Sequence, residues 1–414
     1  LIHPVKITKR KKAFSMKDVH LIAADTYWLG GSDRRLALFE NLFPIPRGVS
    51  YNSYLILDEK TLLLDTVDSA VAQPWLENLT ALLAGRPLDY LVISHMEPDH
   101  CAQIARLTAL WPDLKLVVNA KTCPMLRQFF GTDWPDRQEV VAEGSTLSTG
   151  RHTLRFAMAP MVHWPEVMVS FDEATGALYT ADGFGTFGAL DGAVFADQVN
   201  FERDWLDDAR RYYANIVGKY GASVQGLLKK AAALPVKMLC PLHGPIWRKD
   251  LDWFLEKYDR WSRWQPEGSG VMVVYGSMYG NTARAAELFA GLLAEGGAED
   301  LRVYDASITP VSHLIGEAFR CKQIVLACPT YNGGVYPAIE AFVNDMKALA
   351  LQGRTFALLE NGSWAPAAAR LLRPSLEAMK NTTVLEPLVT IRGALQEDQM
   401  EQLAALRDAV LAGC

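Results

Sequence analysis

From residue 271 onward the sequence alternates short apolar runs with longer amphipathic stretches, and this alternation limits the fold more than any other feature. The apolar runs are Val271–Tyr275, Leu301–Tyr304, Ile324–Ala327, Thr355–Leu359 and a segment near Leu385–Ile391. Helical spacing marks Thr282–Glu295, Val311–Phe319, Ala338–Leu349, Pro366–Met379 and a last stretch near Glu397–Leu411. A short run that is apolar at every position is buried on both faces, which happens when helices cover both sides of a parallel sheet. Strands and helices in strict alternation therefore predict a doubly wound parallel sheet.

The earlier part of the chain reads differently. Its β-like runs are Tyr54–Leu57, Leu62–Asp65, Tyr90–Ser94, Leu116–Asn119, Leu154–Ala157, Ala177–Ala181 and Val236–Leu239. Close spacing in the first third predicts hairpins, and later helical stretches predict a layered α/β fold. An amphipathic helix over about 249–264 is broken by Pro266 and Gly268. The expected division is a first domain over 1–264 and a second over 265–414.

Composition excludes several classes. The 41 Lys and Arg against 47 Asp and Glu leave a net charge of −6, so nothing in the overall balance draws the chain to nucleic acid. No apolar run approaches the ~20 residues of a membrane span. The 16 Phe, 14 Tyr and 11 Trp are core-forming material and argue against disorder. Six cysteines, with no Cys-x-x-Cys pair, argue against a disulfide framework, a thiolate metal knuckle and an iron–sulfur or rubredoxin-like module in this sequence. A reducing cytoplasm is the expected setting. The cluster Lys6, Lys9, Arg10, Lys11 and Lys12 precedes no apolar stretch, so a solvated start is expected there rather than a signal peptide, with a docking patch as the other reading.

The densest chemistry lies in Ser94-His95-Met96-Glu97-Pro98-Asp99-His100, just past an apolar strand. In an extended loop, positions i, i+2 and i+4 point the same way, so His95, Glu97 and Asp99 are expected to converge. His163, Asp182 and His243 each follow another apolar run. Polar groups at the C-terminal ends of several strands form a crevice at one sheet edge. Nitrogen and carboxylate donors without a thiolate suit iron or manganese, and zinc is possible. Six ligands are too many for one open site and too few to saturate two octahedral ions, which favours a binuclear centre with open positions.

A second constellation lies in the later half. Ser277-Met278-Tyr279-Gly280-Asn281-Thr282 joins a buried strand to a helix start. Successive backbone N–H groups at a helix N-terminus cradle phosphate, and Ser277 and Thr282 add hydroxyls. No Lys follows and Gly-x-Gly-x-x-Gly is missing, so a monophosphate such as that of FMN is the economical reading. Pro329-Thr330-Tyr331-Asn332-Gly333 and Asn361-Gly362-Ser363-Trp364 follow later strands. Tyr331 and Trp364 there offer flat faces for an isoalloxazine ring.

The frame His95, Asp99, His100 with His163, Asp182 and His243 resembles the metallo-β-lactamase fold. Hydrolases of that fold usually carry a histidine where this chain has Glu97. A carboxylate there, with a flavodoxin-like second domain, resembles the flavodiiron proteins (A-type flavoproteins). The resemblance implies an αββα sandwich followed by a flavodoxin-like sheet, FMN, and two irons per chain. It also implies that Asp182 bridges the irons, with His95, Glu97 and His163 on one and Asp99 and His243 on the other. His100 is expected behind the ligands, and Trp164 either at the pocket wall or in the core. The implied activity is reduction of O2 to water, of NO to N2O, or both. Two ferrous ions and a reduced flavin together hold the four electrons that O2 needs. The resemblance further implies a head-to-tail homodimer or dimer of dimers, and an external donor such as rubredoxin. A zinc hydrolase with an accessory flavodoxin domain is the competing reading.

Overall fold

The computed structural model describes residues 18–414; the basic cluster at Lys6–Lys12 lies outside the described residues. Three sheets organise the chain. The first runs in the order His20–Ala23, Thr26–Trp28, Tyr54–Leu57, Thr61–Leu64, Tyr90–Val92, Lys115–Asn119, Gln138–Val141. It is antiparallel up to Thr61–Leu64 and parallel thereafter. The switch follows from the connections: a tight turn joins Tyr54–Leu57 to Thr61–Leu64, whereas helix Ala72–Leu83 carries the chain back to start Tyr90–Val92 in parallel.

The second sheet orders Thr146–Ser148, Thr153–Met158, Met168–Asp172, Ala177–Tyr179 and Met238–Cys240, the last pair parallel. Both sheets feed one apolar core, and the backbone ties them directly where Met168 N donates to Ser94 O at 3.1 Å. This is the metallo-β-lactamase-like sandwich expected from the ligand frame.

The third sheet has the order Leu301–Asp305, Val271–Tyr275, Gln323–Tyr331, Thr355–Asn361, Thr383–Val384, with Val389–Ile391 also paired to Thr355–Asn361. All the pairs along that order are parallel. The second strand in sequence lies outside the first, as in a flavodoxin-like doubly wound sheet. The single strand expected near Leu385–Ile391 is instead a pair, Thr383–Val384, which begins earlier, and Val389–Ile391, with Pro387, which lacks an N–H donor, between them.

The two halves meet through helices Leu206–Tyr212 and Val311–Arg320. Gly316 lets them approach: a Cβ there would lie 3.3 Å from Arg211 Cα. Arg210, almost fully buried, forms a two-pronged pair with Glu267 at 2.5 and 3.0 Å, and Trp261 Nε1 donates to the same carboxylate at 2.7 Å.

Candidate metal centre and flavin site

The metal-competent residues lie where the ends of the first two sheets face each other. Tyr90–Val92 delivers His95 through His100, and the second sheet delivers His163, Asp182 and His243 just past three of its strands. Several contacts fix these loops. Asp65 Oδ1 accepts from Ser94 N at 2.7 Å, and Thr66 Oγ1 donates to His100 O at 2.6 Å. Asn52 donates to Pro241 O and Gly244 O, both at 2.8 Å, so the loop carrying His243 is pinned on either side of it. Gly244 is required there: it has φ +77°, and a Cβ would come within 2.1 Å of Thr186 Cγ2.

The side chains fall into two groups. His95, Glu97, His163 and Asp182 form one; Asp99, His100 and His243 form the other. In the first, His163 Nε2 is 3.1 Å from both Glu97 Oε2 and Asp182 Oδ2, and His95 Nε2 is 3.2 Å from Glu97 Oε2. In the second, His100 Nε2 and His243 Nε2 are 3.1 Å apart, with Asp99 3.4 and 3.3 Å away. Asp182 joins the two groups. Its Oδ2 faces His163 and His95, while its Oδ1 faces His100 at 3.1 Å and His243 at 3.6 Å.

The extended-loop expectation for His95, Glu97 and Asp99 holds only in part. Pro98 opens a short helix, Pro98–Cys101, so the alternation stops after Glu97 and Asp99 turns to the second group. His100 lies close to the second group. Its Nε2 lies among that group's donors. Trp164 packs edge-on against the His95 ring, with centroids 5.1 Å apart at 87°, and so forms part of the wall.

The electrostatics are those of a cation site. For His95, Glu97, His100, His163 and Asp182 burial is the largest influence and opposes charge. Even so, Asp182, Glu166 and Glu97 hold His95 well above the usual imidazole range. Asp99 and Asp182 likewise raise His100 to about 9, and Asp182 and Glu97 raise His163 to about 9. Asp182 is held well below the carboxylate range by His100, His163 and His95. Both oxygens of Asp99 and Oδ1 of Asp182 are buried without a hydrogen-bond partner. Such acceptors are costly unless a cation meets them, so the donor set fits metal ions that would replace the protons on the imidazoles.

Three residues around the centre were not marked by the sequence. Glu166 Oε1 accepts from His95 Nδ1 at 2.8 Å and from Met96 N at 2.9 Å, fixing the ring with Nε2 inward. Its only local signal was its place three residues after His163. Tyr212 packs against His243 with its hydroxyl buried and unpartnered. Glu40, an exposed residue on the turn between strands Leu38–Phe39 and Phe43–Pro44, has its carboxyl pushed up to about 7, by partial desolvation first and then by the charge of Glu97.

The flavodoxin-like sheet carries a cavity of about 390 Å³ at the C-terminal ends of its strands. It is lined by Ser277, Met278, Tyr279, Asn281, Thr282, Pro329, Thr330, Tyr331, Asn332, Gly333, Ser363 and Trp364, all expected from sequence, together with Asn361, Gly362, Ala365 and Gly393. Gly280 does not line it. It caps helix Asn281–Glu295 at φ +93°, and its N–H donates to Ser277 Oγ at 3.1 Å. Ser277 and Thr330 therefore organise loops with their hydroxyls: Thr330 Oγ1 accepts from Ala367 N at 2.9 Å. Tyr279 and Trp364, 94% and 90% exposed, form an open aromatic rim.

Comparison with known proteins places this two-part arrangement. The "ODP family beta lactamase" model matches residues 49–244, and the "Flavodoxin" model matches residues 273–406. The chain superposes on rubredoxin oxygen:oxidoreductase from Desulfovibrio gigas with a TM-score of 0.89 at 26% identity, covering 95% of this chain and 98% of that one. The flavodiiron protein from Giardia intestinalis also gives 0.89, at 25% identity over 96% and 97%. In both domains and in their order the chain is similar to the flavodiiron proteins. Relatives by sequence include the nitric oxide reductase of Moorella thermoacetica, 28% identical over 91% of this chain and 94% of its own length. The anaerobic nitric oxide reductase flavorubredoxin of Escherichia coli is 28% identical over 86% and 75%. The flavodoxin-like domain implies FMN, and the two donor groups match the pair of irons of the flavodiiron class. Among the described residues no helix is long and apolar enough to cross a membrane.

Proposed function

We propose that this protein reduces O2, and NO as a second substrate, at two iron ions fed with electrons by FMN. The observation that carries the reading is the division of Asp182, with one oxygen toward each donor group. One carboxylate set between two histidine-rich clusters suits two neighbouring cations and serves no purpose for one. His95, Glu97 and His163 would hold the first ion, Asp99 and His243 the second, with Asp182 shared. His100 would join the second, a reading that its grouping with Asp99 and His243 supports.

When bound, two ferrous ions and reduced FMN supply two electrons each, which matches the four consumed in reducing O2 to two waters, whereas two NO going to N2O consume two. That match supports O2 as the preferred substrate. The names of the Moorella and Escherichia relatives support NO. The chain's own residues hold the centre in place. Glu166 orients His95, the Ser50 carbonyl accepts from His243 Nδ1 at 2.7 Å, and Phe39, Tyr51 and Tyr212 enclose His243 and limit water. Ser277 and the first turn of helix Asn281–Glu295 would hold the flavin phosphate, and Tyr331 and Trp364 its ring.

The domain boundary proposed is 264/265, between helix Leu251–Ser262 and strand Val271–Tyr275. A cytoplasmic setting, an external donor such as rubredoxin, and a head-to-tail homodimer whose second copy covers the aromatic rim complete the reading. Replacing Asp182 with Ala should abolish O2 and NO consumption while FMN stays bound; surviving activity refutes the mechanism. Anaerobic rates of the reduced protein with each gas decide the preference. Metal analysis showing zinc without iron would favour the hydrolase instead.

A further inference from the structure

The hairpin formed by Leu38–Phe39 and Phe43–Pro44 covers the metal centre. Phe39 lies edge-on to His243, with centroids 5.5 Å apart at 88°. The hairpin has few ties of its own: Leu42 N donates to Phe39 O at 2.9 Å and Ile45 N to Ala37 O at 3.0 Å. Its apolar residues Phe39 and Ile45 are buried in the core and Phe43 packs against Phe187, and Arg211 adds the polar tie from outside. The Arg211 side chain, 3% exposed, lies over the Phe187 ring at 4.7 Å, and Phe187 in turn packs against Phe39 at 5.5 Å. Its Nη2 donates to Pro44 O, its Nη1 to Asp208 Oδ1 at 3.2 Å, and its Nε to Ser312 Oγ at 3.2 Å. Ser312 is in the first turn of helix Val311–Arg320, in the flavodoxin-like domain, and Asn215 reinforces the joint by donating to Ser312 O at 3.0 Å.

We propose that Arg211 is a positioning residue for the gas-reducing reaction: it clamps the hairpin over the metal centre and anchors that hairpin to the flavin-binding domain of the same chain. A planar guanidinium suits this role, because its fixed fork reaches three acceptors on three different segments at once. The clamp rests on geometry alone; only its effect on gas turnover rests on the metal-pair reading above.

The test is amide hydrogen exchange on the full chain loaded with iron and FMN, together with steady-state kinetics. In R211M, which keeps the bulk and loses the donors, exchange at 38–45 should quicken by about tenfold while strands Tyr54–Leu57 and Thr61–Leu64 keep the parent rate. S312A removes only the anchor in the flavin-binding domain and should give about threefold. In both variants KM for the gas should change by about threefold or more while KM for the electron donor holds. Hairpin exchange within about twofold of the parent in both variants, or a rise spread evenly over the sandwich, overturns the clamp. Faster hairpin exchange with unchanged gas kinetics overturns the positioning role. If R211M fails to fold, S312A decides alone. The exchange result stands whichever metal the protein carries, so failure of the clamp and failure of the metal reading are told apart.

Discussion

Removing the Glu166 carboxylate tests how much of the metal centre is set by a residue that touches no metal. In the structure one oxygen, Oε1, accepts both His95 Nδ1 and Met96 N, at 2.8 and 2.9 Å, in a fully buried position. E166A leaves both donors buried and unpaired. Each unmade bond costs about 1–3 kcal/mol, so stability should fall by about 2 kcal/mol or more. The ring of His95 also loses the partner that fixes its tautomer, and such losses lower metal affinity by about 10–100-fold. That corresponds to about 1.4–2.8 kcal/mol of binding free energy. E166Q keeps an acceptor and loses the charge, so its effect should lie at the low end of this range. The assay is anaerobic titration of ferrous ion into metal-free protein against a chromophoric chelator. One of two binding steps should weaken, because Asp99, His100 and His243 do not depend on Glu166. An E166A protein that binds both ions as tightly as the parent refutes the reasoning.

Other outcomes follow from the same geometry. Y212F removes a buried hydroxyl that has no partner, so denaturation should show unchanged or slightly higher stability; a drop in turnover with full iron content would show that the hydroxyl serves the reaction. W364A should weaken FMN binding by about 0.5–1.5 kcal/mol, read by fluorescence titration of the flavin-free protein, with no change in melting temperature because the residue is exposed. Glu267 is held below its ordinary value of 4.5 by Arg210 against the opposing effect of burial. A depressed folded value means that its stabilisation is complete above about pH 4.5 and is lost as pH falls through the folded value. Denaturant midpoints of E267Q should therefore lie below the parent's at neutral pH and converge on them in acid.

The flavodoxin-like half was readable because its central strands are buried on both faces. Val271–Tyr275 coincides with its apolar run, and Gln323–Tyr331 extends past its run only into the cavity loop. Edge strands were not readable: Gln138–Val141 and Thr146–Ser148 are short, largely exposed and mixed in polarity, so no pattern marks them. Met168–Asp172 is wholly buried and was missed for another reason, since Ser170 and Asp172 interrupt its apolar run. The metal ligands stood out because each follows an apolar strand. Glu166, Tyr212 and Glu40 did not, because their meaning lies in contacts with residues far along the chain, such as the 71-position gap between His95 and Glu166. The split between Glu97 and Asp99 escaped because local alternation was read through Pro98, where a helix begins.

The shared carboxylate of Asp182 has a consequence for how the centre is filled. Its two oxygens already face the two groups, so the first ion draws on a negative charge that the second must share, and two dications beside one carboxylate repel each other. The first occupant therefore raises the cost of the next. Uptake should be stepwise: at half the required metal, a sample should hold mostly singly loaded molecules.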